Sequence, residues 1–311
     1  MLSRFKHAEK KEPDPAMDSP RHLDPIVATF SIAGVDSQAG DIGIAVASKF
    51  LSVGAVVPWA MAGVGAVATQ AHANTTYGPE GLRLLAQDNG PDAVIQSLTG
   101  SDDQQSHRQL GIVSADGRAA TFTGSACLDW AGGTSGDGYA IQGNILTGFG
   151  VVEAMEHAFL NSLGSLGDRL LEALRAGDTA GGDSRGRQSA ALVVVRDQGG
   201  YGGLNDRYLD LRVDDHPTPV DELARLRDLH RLYFERPGAG GTIALSENLV
   251  REIQHILQRS GEYTGPPTGV YDDATQQALE TRFAEENLEE RWLDGAEIDG
   301  VALEYLRSQD R

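Results

Sequence analysis

The sequence predicts an α+β protein in which β-sheets pack together with helices on the outside, followed by a small helical region. The first observation is the order of segments, which show the periodicity of strands, helices, strands, a helix and strands. The second is Asp116-Gly117 between two alternating runs, which favours a tight turn between antiparallel strands. The third is a glycine cluster at 237–241, beyond which helical periodicity dominates.

The first three predicted strands lie close together in the chain. Thr29 begins a β-rich run, and residues 42–50 return as a second strand after a turn. Residues 63–70 form a third strand after a loop that contains Pro58 and Trp59. This third strand is so rich in glycine and alanine that a neighbour must pack closely against it.

The rest of the first region alternates between helical and strand periodicity. Its predicted elements are two short helices over 78–100, a hairpin over 109–124, a strand over 138–144, a helical layer over 151–177, and strands over 189–197 and 208–213. A linking helix over 217–236 follows them, and it ends before the glycine cluster.

Composition divides the chain into three predicted regions. Residues 1–27 are charged and contain proline, with no apolar segment of the kind a secretory signal needs, so we expect a disordered tail. Residues 28–236 hold the predicted sheets. Residues 237–311 form the predicted small helical domain.

The net charge and the cysteine content exclude several classes of function. A formal net charge of -19 over 311 residues disfavours nucleic acid and anionic membranes as partners. The single cysteine, Cys127, cannot form an intramolecular disulfide. No apolar run reaches the ~20 residues that span a bilayer. We therefore expect a cytoplasmic protein without nucleic-acid or membrane partners.

A family resemblance rests on short motifs spread in order over residues 28–236. They are residues 29–32, 43–54, 68–70, 77–79, 122–125, 142–144, 181–183, Gly186, Gln188 and Ser189. This pattern resembles the DUF1028 proteins, which are placed in the N-terminal-nucleophile (Ntn) hydrolase superfamily. The resemblance implies a four-layer αββα sandwich, which periodicity alone does not distinguish from another α+β layering.

The C-terminal region has a resemblance of its own. Residues 246–283, with Gln254 on a helix, Tyr263 in a loop and Thr275 before the next helix, resemble a peptidoglycan-binding helical module. The resemblance implies a glycan or a peptide as ligand. In the alternative interpretation, these helices cap the first domain or form an oligomer interface, with Trp292 and Tyr305 available for packing.

Thr29 is the predicted catalytic nucleophile. In an N-terminal threonine the hydroxyl attacks, and the residue's own α-amine, with an unperturbed pKa of roughly 7.7–8.0, accepts the proton. Residues 1–28 precede Thr29, so this chemistry needs a true start nearer Thr29 or cleavage of the Ala28–Thr29 bond, and Met17 shows that shorter starts are possible. The alternative is that Thr29 is a β-branched strand residue with no catalytic role.

Three further residues are catalytic candidates. A partly desolvated Lys49 would lower the pKa of the amine, although a lysine at a strand end is commonly solvated. Asn144 lies at a strand-to-helix turn, where its amide is a candidate oxyanion donor or a helix N-cap. Asp183 lies in a glycine-rich loop and would orient the amine, or pair with Arg185 or Arg187.

The substrate-binding candidates are polar residues at the ends of predicted strands, where side chains reach a site from a rigid sheet. They are Ser48, Thr69, Gln70, Asn74, Gln188 and Ser189. We expect a small amide or a peptide-like molecule as the substrate.

Other chemistries have weaker support. Cys127 is a rival nucleophile with His72 or His107 as its base, but no motif links them. The eight histidines form no HExxH pair, and residues 181–187 lack the lysine of a phosphate-binding loop. We therefore expect no metal and no cofactor.

Two functions from different classes stay open at this point. One is an Ntn-type amidohydrolase that forms an acyl-enzyme on Thr29. The other is a non-catalytic αββα scaffold that binds a small molecule or forms an oligomer, and a homo-oligomer is the expected state in either case.

Overall fold

The computed structural model describes residues 29–235 and 241–309. The predicted tail (1–27) and the predicted boundary at 237 lie outside the described residues. The strands are β1 (Thr29–Asp36), β2 (Asp41–Ser48), β3 (Pro58–Met61), β4 (Gly65–Ala71), β5 (Arg108–Ser114), β6 (Ala119–Thr123), β7 (Gly132–Gly136), β8 (Tyr139–Gly143), β9 (Ser189–Val195), β10 (Arg207–Val213), β11 (Thr242–Ala244) and β12 (Glu297–Asp299). The helices are α1 (Tyr77–Leu85), α2 (Pro91–Gly100), α3 (Gly150–Asn161), α4 (Leu166–Thr179), α5 (Pro219–Phe234), α6 (Glu247–Ser260), α7 (Asp273–Glu285) and α8 (Gly300–Gln309).

Residues 29–213 build two antiparallel sheets that face each other. One sheet has six strands in the order β10-β9-β2-β1-β8-β7, and the other has four in the order β3-β4-β5-β6. Side chains alternate between the two faces of a strand. Ala33 and Val46 of the first sheet therefore meet Ala68 and Val113 of the second in an apolar core.

Helices cover the outer face of each sheet. Phe30 and Ile32 of β1 pack with Leu170 and Leu174 of α4 on the six-stranded sheet. Val67 of β4 packs with residues of α1 and α2 on the four-stranded sheet. Each helix buries an apolar stripe in this way, and α4 begins with a capping box between Ser165 and Asp168. The predicted α+β class with antiparallel sheets is confirmed.

Two local predictions differ from the structure. The predicted loop at Pro58 and Trp59 is wrong, since both residues lie in β3, with Pro58 as the first residue of an edge strand that needs no donor there. Strand β7 was not predicted, because its sequence GGTSG has low strand propensity. It forms because the Asp137-Gly138 turn, with Gly138 at φ 79°, folds it onto β8.

The C-terminal region is helical, as predicted, with an added two-stranded ribbon of β11 and β12. Its apolar core includes Ile253, Leu257 and Phe283, and Leu232 of α5 packs into the same core. Helix α5 also packs Leu223 against the six-stranded sheet. Helix α5 is therefore shared by both cores.

Within residues 29–235 and 241–309, every helix is too short or too polar to cross a membrane.

Candidate active site

A row of four buried polar side chains crosses the six-stranded sheet at one end. Thr29 pairs with Ser48, and Ser48 pairs with Ser189, in the antiparallel register. Asn144, the residue after β8, donates its backbone N–H to Thr29 O at 3.0 Å. Thr29 Oγ1 lies 3.2 Å from Ser48 Oγ. Residues directly opposite one another share a face, so the row points toward the other sheet.

The four-stranded sheet supplies a second polar row opposite the first. Gln70 of β4 pairs with Gln109 of β5, and Gln109 pairs with Thr123 of β6. Gln70 Nε2 lies 3.3 Å from Thr29 O, and Asn144 Nδ2 donates to Gln109 Oε1 at 2.9 Å. The end of the interface between the sheets is therefore a buried layer of amides and hydroxyls, which we call the polar layer.

One chain of hydrogen bonds orders the polar layer. Gln142 Nε2 donates to Ser31 Oγ (2.7 Å), and Ser31 Oγ donates to Gln70 Oε1 (2.6 Å). Gln70 Nε2 donates to Gln109 Oε1 (2.9 Å), and Gln109 Nε2 donates to Gly143 O (2.7 Å). These hydrogen bonds fix the orientation of the amides that they join.

Ser31, Gln109 and Gln142 were not predicted as site residues. A signal for Ser31 and Gln142 is present in the sequence, because each is a polar residue between non-polar neighbours in a strand. Gln109 follows Arg108 at the start of its strand and has no such signal. What the sequence does not show is that these strands meet across two sheets.

Two strained residues adjoin the polar layer. Ala71, after Gln70, has φ 64°, and Ile145, after Asn144, has φ 53°. A positive φ is unusual for a β-branched residue such as Ile145. Backbone contacts hold it, since Ile145 N donates to Leu128 O at 3.0 Å and Ile145 O accepts from Ser184 N at 2.9 Å. Strain of this kind is found preferentially at functional sites.

Asp183 and Lys49 lie beside the row of Thr29, but neither acts as a free charge there. The Asp183 carboxylate accepts from Lys49 N at 2.9 Å and pairs with Arg185 at 2.8 Å. The Lys49 side chain is exposed, and its Nζ donates to Arg187 O at 3.2 Å. Of the two environments considered for Lys49, the structure has the exposed one at the end of β2.

Three predicted binding residues lie outside the polar layer. Thr69 points to the opposite face of β4 from Gln70, as a period of two requires, and its Oγ1 donates to Asn74 O at 3.2 Å. Asn74 Nδ2 is directed at Asp102, 3.4 Å away. Gln188 Nε2 donates to Asp215 at 3.1 Å. Ser189, by contrast, is in the row, where its Oγ accepts from Val53 N at 3.0 Å.

Asn74 borders a separate polar cavity of about 540 Å³, which Tyr77, Asp102 and Arg108 also line. Burial, and then the hydrogen bond to Asp102, raise the pKa of Tyr77. Burial by itself would raise the pKa of Asp102, but hydrogen bonds from Arg108, Gln104 N and Tyr77 hold it well below its usual range. These groups stabilise one another as a local ion-pair network.

Cys127 does not have the environment of a nucleophile. Burial raises the pKa of its thiol, and Sγ lies 3.4 Å from Arg108 O. A raised pKa keeps the thiol protonated at neutral pH, and the thiolate is the reactive form. The rings of His72 and His107 pack against each other, with centroids 5.4 Å apart. In the part of the chain that the structure describes, no group of His, Cys, Asp and Glu side chains is arranged to hold a metal ion.

We expect Gln109→Leu to lower the free energy of unfolding by about 3 kcal/mol or more, because it removes the acceptor of Gln70 Nε2 and Asn144 Nδ2 and the donor to Gly143 O in a buried site. Urea denaturation measures the change. Gln38→Leu, in the exposed turn between β1 and β2, is the control and should change stability by less than about 0.5 kcal/mol. Equal effects of the two substitutions would contradict the importance of the network.

The fold and the site together define an α+β protein of two facing antiparallel sheets with a buried layer of amides and hydroxyls at one end. The chain belongs to the family described as "Family of unknown function (DUF1028)", whose model matches residues 29–223. Residues 233–306 match the model described as "Putative peptidoglycan binding domain". A glycan or peptide ligand for this region stays a prediction.

A solved structure of the same family is similar to this chain. It is the crystal structure of protein SPO2555 from Silicibacter pomeroyi, which is 32% identical, with a TM-score of 0.61. The match covers 67% of this chain and 91% of that chain. No curated protein matches the chain.

Proposed function

We propose that this chain is an N-terminal-nucleophile hydrolase that cleaves a small amide or peptide-like substrate through Thr29. The observation that carries the proposal is the position of Thr29, which is the first residue of β1 and is buried in the polar layer between two sheets. The family match also begins at Thr29. We interpret the layering of α3 and α4, two sheets, and α1 and α2 as the four-layer αββα sandwich of Ntn hydrolases.

The chemistry needs a free α-amine, so it begins with hydrolysis of the Ala28–Thr29 bond. The amine then takes the proton of Thr29 Oγ1 as this oxygen attacks the substrate carbonyl carbon. The C–N bond of the tetrahedral intermediate breaks, the leaving amine takes that proton, and an ester on Oγ1 remains. Water, deprotonated by the α-amine, hydrolyses the ester, which releases the acid and restores Thr29.

Residues of the polar layer have specific roles in this proposal. Ser48 Oγ, at 3.2 Å, positions the Thr29 hydroxyl. Asn144 Nδ2 uses one N–H for Gln109, and its second N–H is the proposed oxyanion donor. Lys49 and Asp183 have a positioning role through the hydrogen bond of Lys49 N to Asp183, which ties the end of β2 to the loop before β9.

A β-lactone tests the proposal without knowledge of the substrate. Attack by Thr29 Oγ1 opens the lactone ring and leaves an ester adduct of the full lactone mass. We expect this adduct on Thr29, located by mass spectrometry of tryptic peptides, and only on chains whose first residue is Thr29. Adducts confined to Cys127 or to surface lysines would contradict the proposal.

The alternative, a non-catalytic αββα scaffold, has one observation in its favour. Residues 1–28 precede Thr29 in the sequence, and the nitrogen of an intact peptide bond cannot act as a base. A full-length chain that resists the lactone would support the scaffold.

A further inference from the structure

Asn144 carries a buried oxygen without a hydrogen-bond partner. The residue is 1% exposed, and its Oδ1 contacts no donor among the described residues. A buried acceptor that lacks a donor costs about 1–3 kcal/mol. Gln142 Oε1 is a second buried oxygen of the polar layer without a partner in the described part of the chain, and Asn144 Oδ1 belongs to the residue beside Thr29.

The orientation of the Asn144 amide is fixed by its neighbours. Gln109 Nε2 donates to Gly143 O, Thr123 Oγ1 and Gly132 O, so Gln109 Oε1 must point toward Asn144. Only an N–H can face that oxygen, so Nδ2 of Asn144 points to Gln109 and Oδ1 points away from it. A flipped amide would place two oxygens against each other.

Asn144 is also the side chain opposite Thr29 across the sheet. Phe30 pairs with Gly143, and Asn144 N donates to Thr29 O, so Asn144 takes the next place in the register. Hydrolysis of the Ala28–Thr29 bond creates new N–H donors at this end of β1. The Asn144 oxygen that lacks a donor and the new N–H groups of Thr29 therefore lie at the same end of the β1–β8 pair.

We infer that Asn144 Oδ1 is the hydrogen-bond acceptor that positions the α-amine of processed Thr29. This inference rests on the proposed function. One N–H of the neutral amine is donated to Oδ1, and the nitrogen lone pair stays available for the proton of Thr29 Oγ1. Asn144 then acts through the amine, in addition to its proposed contact with the oxyanion.

An uncharged acceptor suits this role better than a carboxylate. An adjacent carboxylate favours the ammonium form and raises the pKa of the amine, which removes the base at neutral pH. The other charged or titratable side chains near this end of the sheets include Lys49 after β2, Asp183 and Arg185 before β9, and Cys127 and Asp129 between β6 and β7. On the side of the four-stranded sheet they include His72, His107 and Arg108, and Arg108 is paired with Asp102. Asp183 is paired with Arg185, so its charge is balanced.

The test is the pH titration of the Thr29 α-amine in three full-chain variants. Each purified protein is labelled with trace acetic anhydride across a pH series, and acetylation of the peptide that begins with Thr29 is measured by mass spectrometry. We expect Asn144→Asp to raise the midpoint by about 1–2 pH units through its carboxylate, and Asn144→Ala to lower it through loss of the acceptor. Gln142→Glu, one register step deeper and roughly 6.5 Å away along the strand, should shift it less.

Each outcome bears on the inference. Unchanged midpoints in both Asn144 variants, or equal shifts for Asn144→Asp and Gln142→Glu, would overturn it while the proposed function stands. If no chain begins at Thr29, the proposed function and this inference fall together. Thermal melting shows whether each Asn144 variant is folded. If Asn144→Asp does not fold, the downward shift of the midpoint expected for Asn144→Ala still tests the inference.

Discussion

Replacing Thr29 with alanine is expected to lower the rate of lactone acylation, and of amide hydrolysis once a substrate is found, by about 10⁴-fold or more. The reason is that Thr29 Oγ1 is the proposed nucleophile, and Thr29 gains an α-amine as its own base when the Ala28–Thr29 bond is hydrolysed. The hydroxyls of Ser31, Ser48 and Ser189 belong to internal residues that have no such base. Stopped-flow or mass-spectrometric acylation kinetics measure the change. The mass of each sample is recorded as well, so that a chain that keeps residues 1–28 is not counted as a catalytic loss.

Thr29→Ser is the matched control for this substitution. It keeps the hydroxyl and the α-amine, and it should retain measurable acylation at a lower rate. Both variants should melt close to the wild-type temperature, because they keep the backbone pairing of β1 with β2. A Thr29→Ala protein that is acylated at the wild-type rate would rule out Thr29 as the nucleophile.

Replacing Arg291 with methionine is expected to lower the free energy of unfolding by about 3–5 kcal/mol. Arg291 is 2% exposed, and its Nη1 pairs with the fully buried Asp299 at 2.8 Å. Its other nitrogens donate to carbonyls at the C-terminal end of α5, among them that of Leu232 and that of Glu235, the residue after the helix. Methionine would remove the counter-ion of the buried Asp299 carboxylate, which would keep its hydrogen bonds from Val301 N and Ala302 N, and would remove the donor to these carbonyls. Guanidinium denaturation measures the loss.

Arg307→Met is the control in the same region. Arg307 also contacts two carboxylates, Glu252 and Glu304, but all three side chains are well exposed. Exposed ion pairs contribute about 0–1 kcal/mol, so this substitution should change stability little. Equal losses for Arg291→Met and Arg307→Met would show that burial of the arginine is not what joins the C-terminal region to α5.

Local sequence patterns predicted most elements because those patterns act over a few residues. The Asp116-Gly117 turn fixed the β5–β6 hairpin, and apolar spacing identified α4. Strand β7 could not be predicted from GGTSG, because it is held by its pairing with β8 rather than by its own propensity. The ribbon of β11 and β12 joins residues more than 50 positions apart, and three-residue strands carry no periodicity.

Local sequence patterns also predicted part of the candidate site. Thr29, Ser48, Gln70 and Asn144 come together because each lies at a strand end, and antiparallel strands bring alternate ends to one edge. Thr69 was placed in the same group, although adjacent strand residues point to opposite faces. Gln109 contacts residues of both sheets. Its role could therefore not be predicted before the packing of the two sheets was known.

The solvation of Lys49 shows another limit of the sequence. Whether a lysine at a strand end is buried depends on the loops beside it. Here Asp183 and Arg185 of the neighbouring loop bind the backbone of Lys49, and the side chain of Lys49 stays exposed. Substrate identity, a homo-oligomeric state and a cytoplasmic location stay predictions.

The first residue of the lactone-reactive chain tests the proposed catalysis most directly. Intact-mass analysis and Edman sequencing of labelled protein should find a chain that begins at Thr29 and carries the adduct there. Reactive protein that retains residues 1–28 in full would contradict it, because its Thr29 nitrogen would still be part of a peptide bond.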